Sequence, residues 1–184
     1  VRRTLLLVLT AVLLCAGCAT AAGPTAAAGP TAVPAPTAAA ADDAGYAAMM
    51  VPHHEQALEL SALVAGRTTD PTVQDLAFRI DREQVEEVGQ LQGFLALRGA
   101  PAPAPTGAMA GMADAATLDR LRASSGPAFD RLWLQTMVAH HEGALTMSRQ
   151  YLAGPPGALS EFARTVLRSQ QLEIDRMRTA LGPV

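Results

Sequence analysis

Every histidine of this chain falls in one of two adjacent pairs, His53-His54 and His140-His141, and each pair follows a methionine by three and four residues. Met50 precedes the first pair and Met137 the second. Those spacings put side chains on one face of an α-helix, within mutual reach. If both segments are helical, each offers one ion a thioether and two imidazoles: Met50 with His53 and His54, Met137 with His140 and His141. Ligand chemistry then narrows the ion. Imidazole suits copper, zinc, iron and nickel, whereas thioether sulfur favours copper, above all Cu(I). Met147 is two turns beyond His140, about 10 Å along a helix axis, so it reads as a secondary ligand of a looser site. Met49, Met109 and Met112 add sulfur nearby. Both cysteines, Cys15 and Cys18, lie near the start of the chain, which leaves the rest without a thiolate and removes most structural zinc designs.

A metal-free reading stands beside this one. Buried imidazoles need hydrogen-bond partners, and Gln84, Glu87, Gln170 and Glu173 could supply them in a network that only fastens the core. The same carboxylates could instead orient imidazoles that hold a metal. Catalysis is not expected. Carboxylate-bridged di-iron bundles use Glu-x-x-His on two helices, and no glutamate precedes any of these histidines by three. On a helix, Glu55 and Glu142 point away from the histidine face. Nothing in the sequence pairs a nucleophile with a base.

Helices are what must hold these residues. Asp42 or Asp43 can cap a helix running to about Ala65, with Gly66 as its stop. Asp70-Pro71 restarts one, with Pro71 in the first turn, and that helix reaches about Arg98. A Pro/Ala/Gly linker follows over 99–113, then a short helix over 115–123. Ser124-Ser125-Gly126-Pro127 opens a third long helix to about Ala153, and Ser160 starts a fourth to Leu181. No stretch alternates with the period of two that strands require. The halves repeat: residues 50–58 align with 137–145 at an offset of 87, identical at seven of nine positions. Ser61 and Ser148 keep that offset, and Gln84, Glu87 and Val88 match Gln170, Glu173 and Ile174 at 86. Two similar helical hairpins imply an all-α four-helix bundle with a pseudo-twofold axis over residues 42–184. The axis would bring the two histidine pairs into related positions.

The remaining sequence supplies an address. The 184 residues carry 17 acidic and 14 basic side chains, the latter all arginine, for a net charge of −3. No basic run is present, which argues against nucleic acid as a partner. Val1-Arg2-Arg3 followed by the apolar stretch from Thr4 to Ala16 has the layout of a secretory signal. Leu14-Cys15-Ala16-Gly17-Cys18 resembles a bacterial lipobox, so residues 1–18 are expected to end in lipidation of Cys18. Simple secretion is the alternative. Residues 19–41, uncharged and made of Ala, Thr, Pro, Gly and one Val, read as a disordered tether. The expected location is extracytoplasmic, at the cell membrane through a lipid anchor. The partner indicated is a metal ion; no protein partner is legible.

Residues 50–57 and the run from Phe129 to Ala144, which ends in Met137-Val138-Ala139-His140-His141-Glu142-Gly143-Ala144, resemble the hallmark of the domain-of-unknown-function-305 family. Gln170-Gln171-Leu172-Glu173-Ile174 with Met177 is similar to its closing helix. The resemblance covers about 42–182. It implies a ferritin-like helical bundle in an exported bacterial protein, from a family some of whose members are linked to copper binding and tolerance. Two departures stand out. Leu60 occupies the place that Met147 holds in the second half, and Leu91 the place of Met177. On this count the second half is expected to be the richer in sulfur.

Overall fold

A computed structural model describes residues 42–99 and 109–183. The expected signal and lipobox with Cys18, and the tether over 19–41, lie outside the described residues. Five helices and no strand occur among the described residues: α1 Asp43–Ala62, α2 Pro71–Leu97, α3 Ala115–Ala123, α4 Gly126–Leu152 and α5 Ser160–Leu181. None is long and apolar enough to cross a membrane.

Their ends follow from local chemistry. The Asp42 carboxylate accepts from the Gly45 N–H at 2.6 Å, Asp70 from Thr72 and Val73, and Asp114 from Thr117 at 2.7 Å. Each such cap satisfies orphan donors of a first turn and stabilises by about 1 kcal/mol. Pro71 and Pro127 sit in first turns, where no N–H is missed. The chain leaves α1 earlier than the apolar pattern suggests. Val64 N–H bonds to Ser61 O and Arg67 N–H to Val64 O, both at 3.1 Å, so a tighter turn replaces the last α-helical residues. The Arg67 guanidinium donates to Leu63 O, and Gly66 takes φ +74°, where only glycine is unstrained.

The helices α1 and α2 form one hairpin and α4 and α5 another, with α1 against α4 joining them. Two contacts fix α1 and α4 as antiparallel and set their register. The Tyr46 hydroxyl meets Ser148 Oγ at 2.8 Å, and the Trp133 indole N–H donates to Leu60 O at 2.8 Å. Along this bundle the core changes character. One apolar cluster gathers Ala57, Leu60, Leu76, Ile80, Leu121, Phe129, Trp133, Met137, Ile174 and Met177. The other gathers Tyr46, Met50, Val51, Leu91, Leu95, Ala144, Met147, Tyr151 and Val166. Between them each long helix contributes buried polar side chains: His53 and His54, Gln84 and Glu87, His140 and His141, Gln170 and Glu173. A polar layer thus crosses an otherwise apolar core, at the level the repeated motif marks.

Candidate metal centre

The layer is built from the two motifs. His53 and His54 are fully buried, as are His141 and, to within 1%, His140. The imidazoles of His53 and His140 lie face to face across the α1–α4 contact, with ring centroids 3.9 Å apart and planes inclined by 36°. The other two point to the outer helices. His141 Nε2 lies 2.8 Å from Glu173 Oε2, and His54 Nε2 lies 2.8 Å from Glu87 Oε2. The first is a hydrogen bond; the second is a close contact that lacks hydrogen-bond alignment. The pseudo-twofold relation therefore extends to the His–Glu pairs. Glu55 and Glu142 are exposed, on the faces expected for them.

Burial holds His53, His54 and His140 neutral. It pushes His53 down to about 3, with the neighbouring His54 adding to the effect, and His54 down to about 3, with His141 adding. His140 is held well below the ordinary histidine value by burial and by His53. Burial, reinforced by Glu173, raises Glu87 to about 7. Neutral imidazole is the form that binds metal. The Nδ1 atoms of all four histidines, and Nε2 of His54 and His140 as well, are buried without a hydrogen-bond partner. Such atoms are costly to leave unmade, and an Nε2–H turned to a carboxylate or carbonyl with a free Nδ1 is the arrangement of a metal-ligating histidine. The residues present therefore fit a soft metal ion. Among the described residues no three His, Cys, Asp or Glu side chains form a cage for an ion.

A pH dependence follows from these shifts. In the unfolded chain the histidines titrate near 6.5. Below that value the unfolded state binds protons that folded His53, His54 and His140 refuse, so their contribution, complete above pH 6.5, is lost as pH falls towards 3. Glu87 acts oppositely between its raised value of about 7 and 4.5, as does Glu83, whose value burial also raises, but two carboxyls do not offset three imidazoles. The melting temperature of the metal-free chain should fall steadily from pH 7.5 to 4.5. A flat or rising profile would contradict the buried, neutral histidines.

The thioethers do not form one set. Met50, Met137, Met147 and Met177 are all buried. Because α1 and α4 run antiparallel, Met50 and Met147 share one apolar cluster, while Met137 shares the other with Met177. Met50 and Met137 flank the histidine layer from opposite sides, about 10 Å apart along the bundle by the rise per residue. The two thioethers thus approach the layer from opposite ends. The second half of the sequence supplies three of these four methionines, yet the packing places two on each side of the layer. Met177, left out of the expected ligand set, is the counterpart of Leu91 on α2, and that difference within the repeat was its signal.

A segment between the hairpins closes one side of the layer. Met112 N–H bonds to Met109 O at 3.3 Å, closing a turn around Ala110 and Gly111. Ala110 O lies 3.1 Å from His53 Nε2. The Gln56 amide clamps Ala113 in both directions, donating to its carbonyl at 2.9 Å and accepting from its N–H at 2.7 Å. The approach is close enough that a Cβ on Gly143 would lie 1.9 Å from Ala110 O, and one on Gly111, which has φ +77°, 2.3 Å from Ala139 O. Gly143→Ala should therefore lift this segment, at a cost of about 2–3 kcal/mol. In thermal melts that is a drop of about 5–10 °C. Gly89→Ala, in open space on α2, is the control and should be neutral or slightly stabilising.

An antiparallel pair of helical hairpins, with a buried histidine layer between two groups of buried methionines, defines an all-α helical bundle. Residues 43–181 match the model of the family described as "Domain of unknown function (DUF305)". The chain belongs to that family. Its fold matches a DUF305 protein from Streptomyces coelicolor, described as secreted, at a TM-score of 0.73 with 32% identity over 78% of this chain and 94% of the other. A DUF305 fragment from Deinococcus radiodurans matches at 0.72, with 30% identity, over 82% of this chain and all of the fragment. CopM in its Cu(I)-bound form matches at 0.64, with 26% identity, over 76% of this chain and 94% of CopM; CopM structures also hold silver and Cu(II). An uncharacterised protein of Acanthamoeba polyphaga mimivirus is 36% identical over 54 residues, which are 29% of this chain and 36% of the viral protein. Metal handling thus occurs among structural neighbours of the family.

Proposed function

We propose that this chain is an exported protein that binds copper, as Cu(I), in the core of its bundle and buffers or hands over the ion in the cell envelope, without catalysis. The observation that carries the reading is the set of four buried imidazoles whose Nδ1 atoms lack partners, lying between two groups of buried methionines. Copper is the cargo. The ligands are drawn from Met50, His53, His54, Met137, His140 and His141, with Met147 secondary. The split of the thioethers to either side favours two related half-sites, one holding Met50 and the other Met137. Glu173 orients the imidazole of His141 through its hydrogen bond to Nε2, which leaves Nδ1 as the donor atom, and Glu87 faces His54 in the equivalent place. Copper in the related CopM supports the choice of ion. The lipobox-like sequence ending at Cys18 and the secreted relative support export, with a lipid anchor on Cys18.

The contacts His54–Glu87 and His141–Glu173 also favour a second reading, in which the layer is a metal-free network that fastens the core. Titration of the chain with Cu(I), with zinc as competitor, separates the two. Uptake of Cu(I) in preference to zinc supports the copper centre, and no uptake leaves the network.

A further inference from the structure

Of the seven methionines, four lie in the core and Met49 stands alone at its edge; Met109 and Met112 are half-buried and share one turn. The Met112 N–H to Met109 O bond brings their Cα atoms within about 7 Å. Both side chains are long and flexible, so two sulfurs can meet on one ion. The turn lies directly on the paired imidazoles. Ala110 O occupies His53 Nε2, and Gly111 packs against the backbone of Ala139, His140 and Gly143. His53 and His140 themselves are closed to solvent. An ion that reaches them from this side meets Met109 and Met112 first.

We infer that Met109 and Met112 form an entry site for a soft monovalent cation, Cu(I) or Ag+, at the mouth of the histidine layer. This rests on the copper reading of the core and adds a station outside it. Two thioethers with no anionic ligand hold such an ion weakly, which suits a site that must release inward. The transfer is a ligand exchange: sulfur–metal bonds break as bonds to the imidazole Nδ1 atoms form. The ion keeps its charge and no electron moves; at His53, whose Nε2–H faces Ala110 O, the free Nδ1 has no proton to release. The Ala110 O contact to His53 Nε2 holds that ring with Nδ1 free, so the segment that carries the entry ligands also orients the first acceptor.

The test uses the purified chain labelled with 13C at the methionine methyls, titrated with silver nitrate. Met109→Leu and Met112→Leu assign the two resonances and change volume little. The Met109 and Met112 methyls should shift at substoichiometric Ag+, along with the core methionines. The double variant should fill its core to the same final level but at least fivefold more slowly in stopped flow. Methyls of Met109 and Met112 that stay still while core resonances shift would overturn the inference, as would an unchanged loading rate in the double variant. A wild-type chain in which the turn methyls respond and the core resonances do not would instead fail the copper reading of the core, and with it the role of the turn as an entrance.

Discussion

Replacing His54 and His141 together by alanine should strip the core of tightly bound Cu(I) and weaken the fold at the same time. Each of these imidazoles is fully buried and lies 2.8 Å from a glutamate oxygen. Without the imidazoles, Glu87 and Glu173 remain in the layer with nothing to face, at about 1–3 kcal/mol for each unsatisfied group. The metal-free variant should therefore lose about 2–5 kcal/mol in denaturant unfolding. Its Cu(I) affinity should drop at least about a hundredfold, beyond the 10–100-fold typical of losing a partner outside the ligand shell. The stability loss alone does not separate a metal centre from a structural network, because both need these imidazoles. The metal loss does.

Met50→Leu with Met137→Leu gives the cleaner separation. Leucine for methionine conserves volume, and such swaps usually cost under about 1.5 kcal/mol. Both methionines are fully buried in apolar clusters, so the packing around them has no polar group to disappoint. What leaves is the sulfur. The double variant should melt within a few degrees of the wild type and yet bind Cu(I) at least about tenfold more weakly, with zinc binding unchanged, since thioether is the ligand that favours copper. The two sulfurs lie on opposite sides of the layer, so each single variant should weaken one half-site and spare the other. A double variant with wild-type Cu(I) affinity would remove the thioethers from the centre.

Much of this was legible in the sequence. Asp70-Pro71 marks a helix start by its capping chemistry and Pro127 marks the first turn of α4, although Ser125 makes no side-chain cap bond, and α2 to α5 begin and end close to where the sequence places them. The repeated Met-x-x-His-His motif located the buried layer, and the matched Glu87 and Glu173 face His54 and His141 there, Glu173 through a hydrogen bond. What stayed hidden depended on which elements meet. Met147 belongs to the second half of the sequence but lies on the Met50 side of the layer, because antiparallel packing reverses the order along α4. No alignment of the halves carries that register. The differences within the motif have a similar origin. Gln56 and Gly143 occupy equivalent positions, yet one clamps Ala113 and the other makes room for Ala110. A single connecting segment crosses a twofold pair of helices once, so it must break the symmetry, and it does so at Gln56, Ala139 and Gly143.

The most direct measurement is a competitive titration of the purified chain with Cu(I) in the presence of a chelator of known affinity, followed by metal content after dialysis, with zinc and Cu(II) run alongside. The copper centre requires tight uptake of Cu(I) in preference to zinc, retained through dialysis and lost in the His54/His141 variant. A chain that keeps its full helical content and takes up no Cu(I) would contradict it, and the four imidazoles would then be core architecture alone.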